Sequence, residues 1–413
     1  MIGLLDCNNF FVSCQRLFRP DLEGVPVAVL SSNDGCIVAR SQEVKDLGIA
    51  MGVPLFQVKD ICDKHNIVLF SGNLTLYRDI SSRVMRVLAD EVGECDIYSI
   101  DEAFFTLPDD ITHDSIQALR DVVMKKVGIP VSIGVASTKT LAKQASGMGK
   151  KGDGVYLIDA ENWSTLSNEV RCGTVWGLGR QTTAQLSKMG VKTAYEFMQL
   201  TPTQIRQDFG VSTERVYHEL HGEPVVSMGS NSRSIRKSMT NTGSFSKTTT
   251  DILTLESAVA KQVTNIAQNL RDKSVVCARM NVSIQTDRYG DFFMQGDSTE
   301  VILSEPTSST SVLLKYALKA VQKMYISKVP YKKTGVTVTS LMPENYITAN
   351  LFSGETSEEK GQLDSVTDSI NKRFGGNMIH TAAIIQKGAV SASSLRSPSY
   401  TTSWKDIPIV RAK

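Results

Sequence analysis

An apolar run that opens the chain and stops at an acid, Met1 to Asp6 (MIGLLD), is answered much later by an acidic pair, Asp101-Glu102. The pair sits between two strand-like runs, Cys95 to Asp101 (CDIYSID) and Ala103 to Leu107 (AFFTL). After Asp6, Asn8 or Asn9 can cap a helix that carries Phe10, Phe11, Cys14 and Leu17. His113 to Val127 and Thr138 to Met148 also read as helices, and Val131 to Ala136 (VSIGVA) as a strand. With the segment from Glu23 to Gly72 set aside, these elements run β-α-β-β-α-β, the order of a ferredoxin-like sheet with helices on one face. In such a sheet the first strand lies beside the central hairpin. Asp6, Asp101 and Glu102 then share one edge despite their separation along the chain.

The set-aside segment is rich in short strands and turns (GVPVAVL, SNDGC, KDLGIAMG) and reads as a small flap inserted over that edge. After Val155 to Asp159 the pattern changes to short helices: VWGLGRQTTAQLSKMG, VKTAYEFMQL and TPTQIRQDFGVSTERVYHELHG. Gly177-Leu178-Gly179, followed by Arg180, resembles the turn of a helix-hairpin-helix, where N–H groups at a helix start face a phosphate. An ordinary turn between packed helices fits two glycines equally well. Between Glu223 and Asp251 no acid occurs while Arg233, Arg236, Lys237 and Lys247 do, which reads as a basic linker. A helix from Asp251 to Asp272, a hairpin from Val275 to Leu303 turning near Tyr289-Gly290, a helix from Ser308 to Tyr325 and a strand from Thr334 to Leu341 follow. A strand at Thr242 to Lys247 gives this second unit the same β-α-β-β-α-β order. From Pro343 onward periodicity weakens, and the segment reads as a partner-binding tail.

The formal net charge of +2 conceals an imbalance: residues 1–110 hold 9 basic and 17 acidic side chains, net −8, and the remainder is net +10. An acidic front and a basic back suit a metal-dependent site joined to a polyanion-binding surface, although surface composition alone produces such splits. No stretch approaches the ~20 continuous apolar residues of a membrane span. MIGLLDCNNF also turns polar too early for a secretory leader, so a cytoplasmic location is expected. None of the 7 cysteines lies two residues from another, and His218 with His221 has no cysteine beside it. Reduced thiols and no zinc site are therefore expected.

Three carboxylates at one edge repel each other, and burial alone would protonate some of them. A hard dication removes that penalty, and Mg²⁺ favours one or two carboxylates completed by water and substrate phosphate. Two such ions, roughly 3.5–4 Å apart, can activate a 3′-hydroxyl and stabilise a leaving pyrophosphate, which is nucleotidyl transfer. Acids that merely solvate a hairpin and end a strand satisfy the same pattern. Lys139, Lys143 and Lys150 follow VSIGVA, and Lys143 and Lys150 share a face if the helix persists. Solvated helix lysines look the same.

Four blocks together resemble Y-family DNA polymerases: DCNNFF (Asp6 to Phe11), LSSNDGCIVARSQEVKDLGIAMG (Leu30 to Gly52), YSIDEAF (Tyr98 to Phe104) and SIGVASTKTLAKQAS (Ser132 to Ser146). Their order and spacing match as well. The SNDGC block, FRPDL at Phe18 to Leu22 and the terminal SPSYTTSWKDIPIV are similar to the UmuC-type catalytic subunit of DNA polymerase V rather than to the DinB branch. The resemblance implies a multidomain α+β protein with a ferredoxin-like palm (1–22 and 77–165), a small fingers insertion (23–76) and a helical, helix-hairpin-helix thumb (166–229). A linker (230–239), a β-α-β-β-α-β little finger (240–345) and a C-terminal partner-binding segment (346–413) complete it.

The same resemblance implies error-prone translesion synthesis in the SOS response, with two Mg²⁺ ions held by Asp6, Asp101, Glu102 and the Cys7 carbonyl. Phe11 takes the steric-gate position, with Phe10 beside it. Ile37 and Val38, next to Cys36, roof the nascent base pair, and Lys45 and Lys150 contact the incoming triphosphate. Gln42 stands where the wider family usually has Tyr; its amide can still donate a hydrogen bond. Lys143 holds the palm–thumb side. DNA is gripped through phosphates, a salt-sensitive mode, by Gly177, Gly179, Arg180, Arg233, Arg236, Lys237 and Lys247. The stretch Ile347 to Phe352 resembles a clamp-binding peptide through Asn350, Leu351 and Phe352, with Thr348 where that peptide normally has Gln; local apolar packing fits it too. A UmuD′-like accessory dimer, a RecA filament and a sliding clamp are the implied partners.

Two other classes share parts of this pattern. Nucleotidyl cyclases use the same palm architecture without a template, and a DNA-binding scaffold could keep the fold without turnover.

Overall fold

The structure is a computed structural model and describes residues 1–31, 33–229, 236–287, 296–346, 356–374, 378–384 and 395–409. β1 (Ile2–Cys7) leads into α1 (Phe10–Phe18), and the inserted segment holds β2 (Val27–Leu30), β3 (Ile37–Arg40), α2 (Gln42–Asp46), α3 (Leu55–Lys64) and β4 (Val68–Ser71). The chain then forms α4 (Leu74–Val92), β5 (Cys95–Ile97), β6 (Glu102–Thr106), α5 (His113–Val127), β7 (Val131–Ala136), α6 (Lys139–Gly149) and β8 (Val155–Leu157). Short helices follow: α7 (Ala160–Leu166), α8 (Arg180–Lys188), α9 (Ala194–Met198), α10 (Pro202–Phe209) and α11 (Val211–Leu220). Last come β9 (Ser238–Thr249), α12 (Ile252–Arg271), β10 (Val275–Thr286), β11 (Asp297–Thr307), α13 (Thr310–Met324), β12 (Tyr331–Pro343) and α14 (Thr356–Phe374). Two compact units result: Met1–Ser234 with Ser393–Lys413, and Ile235–Ala392.

In the first unit the strand order is β5-β6-β1-β7-β8. β1 lies antiparallel between β6 and β7, the ferredoxin-like placement expected from the sequence. The two helices of that order, α1 and α5, lie on one face as expected, and α6, which follows it, covers the other. Leu5, Ala103, Phe105, Ile133 and Val135 pack with α1, α4 and α5, whereas Leu4, Phe104 and Ala136 face α6 and the helical segment beyond it. Successive strand residues point to opposite faces, so strands apolar at both parities need cover on both. Gly134 admits α6: a Cβ there would fall inside the backbone of Ala142 and Ser146. The long helix α4, which the sequence reading passed over, starts at Asn73, whose side chain accepts a hydrogen bond from the Leu76 amide.

The inserted segment is a sheet of order β3-β2-β4 with its own core of Ala28, Leu30, Ile37, Val44, Val58 and Cys62. Buried polar groups tie the helical segment to α6. The Glu219 carboxylate accepts from the backbone N–H groups of Thr140, Val225 and Val226, each at 3.0 Å. The Lys139 ammonium, almost wholly buried, donates to Asp96 at 2.6 Å and to the Ser227 carbonyl at 2.9 Å.

The second unit follows the expected element order, yet its sheet runs β11-β10-β12-β9 with every pair antiparallel. Its first strand lies at an edge instead of between the third and fourth as in the first unit. β9 extends to Ser238, so the end of the expected linker is strand. The C-terminal stretch holds a long helix, α14, that its weak periodicity did not announce. Asp364 and Asp368 of α14 engage Arg271, whose Nε reaches Asp368 at 2.7 Å. Beyond it, residues 395–409 return to the first unit.

Candidate active site

Strand register builds the site. Asp6 on β1 is the cross-strand partner of Glu102 on β6, and the Cys7 N–H donates to the Asp101 carbonyl at 2.9 Å. The three acids that the sequence placed far apart thus meet at one sheet edge. As they stand, among the described residues, no three His, Cys, Asp or Glu side chains are grouped to hold an ion. Each acid instead has its own partner. Lys150 lies 2.6 Å from Asp6 Oδ1, Lys143 pairs with Glu102, and the Ser99 hydroxyl donates to Asp101. Burial pushes the Asp6 carboxyl up to about 7; the Lys150 ammonium opposes that rise and the neighbouring Glu102 adds to it. Lys143 also sits over the Tyr98 ring, 5.7 Å from its centre. A cleft of about 730 Å³ opens here, lined by Asp6, Lys143, Lys150, Lys151, Arg171 and Thr174 among others.

Asn9, expected as a helix cap, stands at the cap position of α1 with φ +47° and makes no side-chain cap. Its Oδ1 instead accepts from Lys45 Nζ at 2.6 Å. The inserted segment is thereby bonded directly to the turn after β1. Desolvation, with Arg40 and Lys150 nearby, holds the Lys45 ammonium below its usual range. Lys45, Lys143 and Lys150 therefore converge over the acids. Arg40 was missed by the sequence reading; its position at the end of β3, five residues before Lys45, was the available signal.

Phe11 is half-buried and stacks on Tyr77 with ring centres 4.3 Å apart. Phe10 is buried in the main core and Ile37 in the core of the inserted sheet. Val38, next in the strand and half-buried, points to the main-core side. Gln42 is exposed and donates to Asp46 at 2.8 Å. Gly177 has φ +93° and abuts Val216, whereas a Cβ at Gly179, just before α8, would meet open space beside exposed Arg180. Arg236, Lys237 and Lys247 are exposed on or just before β9. Arg233, Asn350, Leu351 and Phe352 lie outside the described residues.

A model described as the impB/mucB/samB family matches residues 5–147, and that of its C-terminal domain matches 236–351. The chain is 34% identical to protein UmuC of Salmonella typhimurium, over 98% of this chain and 99% of that protein. The chain belongs to the UmuC-type Y-family DNA polymerases. This UmuC-type chain is also 31% identical to protein MucB of Escherichia coli over the full length of both. It is 26% identical to a DNA polymerase IV of Desulfatibacillum aliphaticivorans over 92% of this chain and 96% of that one. A solved Y-family DNA polymerase chimera superposes with a TM-score of 0.67 at 18% identity, covering 83% of this chain and 100% of the chimera. A domain of unknown function matches residues 361–410 of the UmuC-type chain. Among the described residues, no helix is long and apolar enough to cross a membrane.

Proposed function

We propose that this UmuC-type polymerase extends a primer 3′-hydroxyl with dNTPs on a DNA template, in error-prone translesion synthesis, at the edge where Asp6, Asp101 and Glu102 meet. The observation that carries this is the Asp6–Glu102 strand pair faced by Lys45, Lys143 and Lys150. A divalent metal goes with the family. The residues fit it, because a buried carboxylate pair whose Asp6 is pushed up to about 7 is stabilised in its charged form by a cation. Two Mg²⁺ ions held by these acids and the Cys7 carbonyl would supply activation of the primer hydroxyl and neutralisation of the departing pyrophosphate.

The chain's own groups do the rest. Lys45, Lys150 and Arg40 present positive charge to the triphosphate, and the Phe11 ring, braced by Tyr77, takes the space a ribose 2′-hydroxyl would need. The domains are palm at 1–22 and 77–165, fingers at 23–76, thumb at 166–229 and little finger at 240–345. The start of α8 with Arg180, together with Arg236, Lys237 and Lys247, would meet DNA phosphates. A UmuD′-like dimer, a RecA filament and a sliding clamp are the proposed partners, in a bacterial cytoplasm and at the nucleoid when acting.

The test incubates the chain, with UmuD′-like and RecA partners present, with primed template, dNTPs and Mg²⁺, beside Asp101→Asn. Template-dependent extension lost in the variant supports the reading. A cyclic nucleotide product, or DNA binding without turnover, overturns it.

A further inference from the structure

The fingers insertion joins the palm by two crossings: one leaves α1 after Phe18, the other returns from β4 through Ser71 to Asn73 and into α4. The C-terminal stretch touches both. The Ser71 N–H donates to the Leu395 carbonyl at 3.0 Å, the Leu395 N–H donates to the Ser71 hydroxyl at 3.1 Å, and Ser71 and Arg396 form a parallel β-bridge. The Asn73 amide donates to the Ser397 carbonyl and hydroxyl, each at 3.1 Å, while its oxygen caps α4 and accepts from Arg396. Asn73 is wholly buried and Ser397 nearly so. At the other crossing the Tyr400 ring stacks on Phe18 with ring centres 4.6 Å apart and planes 12° from parallel.

This contact is made by a segment that reaches the palm only after the whole second unit has been traversed. No local chain connection enforces it; the backbone bridge at Ser71 and the side chains of Asn73 and Phe18 do. A segment pinned to both crossings of an inserted domain limits how far that domain can swing. What swings here is the element that carries Lys45 to Asn9 and brings Arg40 near it.

We propose that Leu395–Tyr400 is a positioning strap that fixes the fingers against the palm and so sets the reach of Lys45 and Arg40 to an incoming nucleotide. The nucleotide consequence rests on the polymerase reading; the strap itself does not.

The experiment uses the full chain as wild type, Tyr400→Ala, Tyr400→Phe and Arg396→Ala, with amide hydrogen exchange and steady-state dNTP kinetics normalised to titrated active sites. Losing the Tyr400 stack should speed exchange across residues 71–77 by about fivefold. It should raise the dNTP KM by a similar factor, with kcat per active site held within about twofold. Tyr400→Phe, which keeps the ring, should restore both, and exchange in β10 should not move. A folded Tyr400→Ala chain with unchanged exchange at 71–77, or with faster exchange but an unchanged KM, overturns the proposal. A fall in titrated active sites at constant KM does so as well, since that marks a purely structural contact. If Tyr400→Ala fails to fold, Arg396→Ala, exposed and bonded to Asn73 and Thr75, is judged by the same two readouts. If wild type, with the UmuD′-like and RecA partners present, extends no primer, the polymerase reading fails, while exchange at 71–77 still decides whether the strap holds.

Discussion

Lys150, at the C-terminal cap of α6, places its ammonium 2.6 Å from Oδ1 of Asp6. Removing that cation should act in opposite directions on the two species the site is proposed to take. In Lys150→Ala the dNTP KM should rise about tenfold, because a charge-assisted phosphate contact is lost. Mn²⁺, measured by its spin resonance, should bind no more weakly than to wild type, since one repelling charge has gone. Weaker Mn²⁺ binding in a folded variant would mean that Lys150 organises the acids instead of the nucleotide.

Phe11 owes its setting to Tyr77, which braces the ring at 4.3 Å. Phe11→Ala should therefore open the space beside the sugar and raise ribonucleotide incorporation relative to dNTP by an order of magnitude or more, on the order of 1–3 kcal/mol of lost discrimination. Primer extension with single rNTPs measures it. Unaltered discrimination would remove Phe11 from the gate.

The Lys139–Asp96 pair is buried, with side-chain exposures of 3% and 7%. Lys139→Ala leaves the buried Asp96 carboxylate its Gly229 N–H donor but no cation, and should cost about 3–5 kcal/mol in urea unfolding. The double change Lys139→Met with Asp96→Asn should recover much of that loss, because no unpaired charge remains.

Gly134 is where β7 and α6 touch backbone to backbone. Gly134→Ala should destabilise the chain by about 3 kcal/mol or more. It should also depress primer extension beyond what thermal unfolding accounts for, because α6 carries Lys143 and leads to Lys150. A variant as stable and active as wild type would show that α6 can move freely.

The acids were legible because a strand apolar up to Asp6 and an acidic pair between two strand-like runs suit a ferredoxin-like sheet, in which the first strand lies beside the central hairpin. The second unit was legible from long, well-spaced periodic elements, although its strand order was not: four strands and two helices in one chain order admit more than one sheet. Other features are invisible to periodicity. Asn9 looks the same in sequence whether it caps a helix or receives Lys45. Ile37 and Val38 are both apolar, and only the strand's parity decides which core each enters. Gly134 reads as a small residue in a strand, with nothing to announce the helix pressed on it. The tail is anchored by the Asn73 amide, the Phe18 ring and Arg271, contacts between residues from nearly a hundred to several hundred positions apart that leave no local pattern.

Because residues 395–409 come home to the first unit, the second unit is spliced into the first and not hung from it. A protease cut at residues 230–235 would break one of two leads. The fragments should still migrate together on gel filtration, held by the grip on Ser71, Asn73 and Phe18, and should part once Tyr400 and Arg396 are both replaced by alanine.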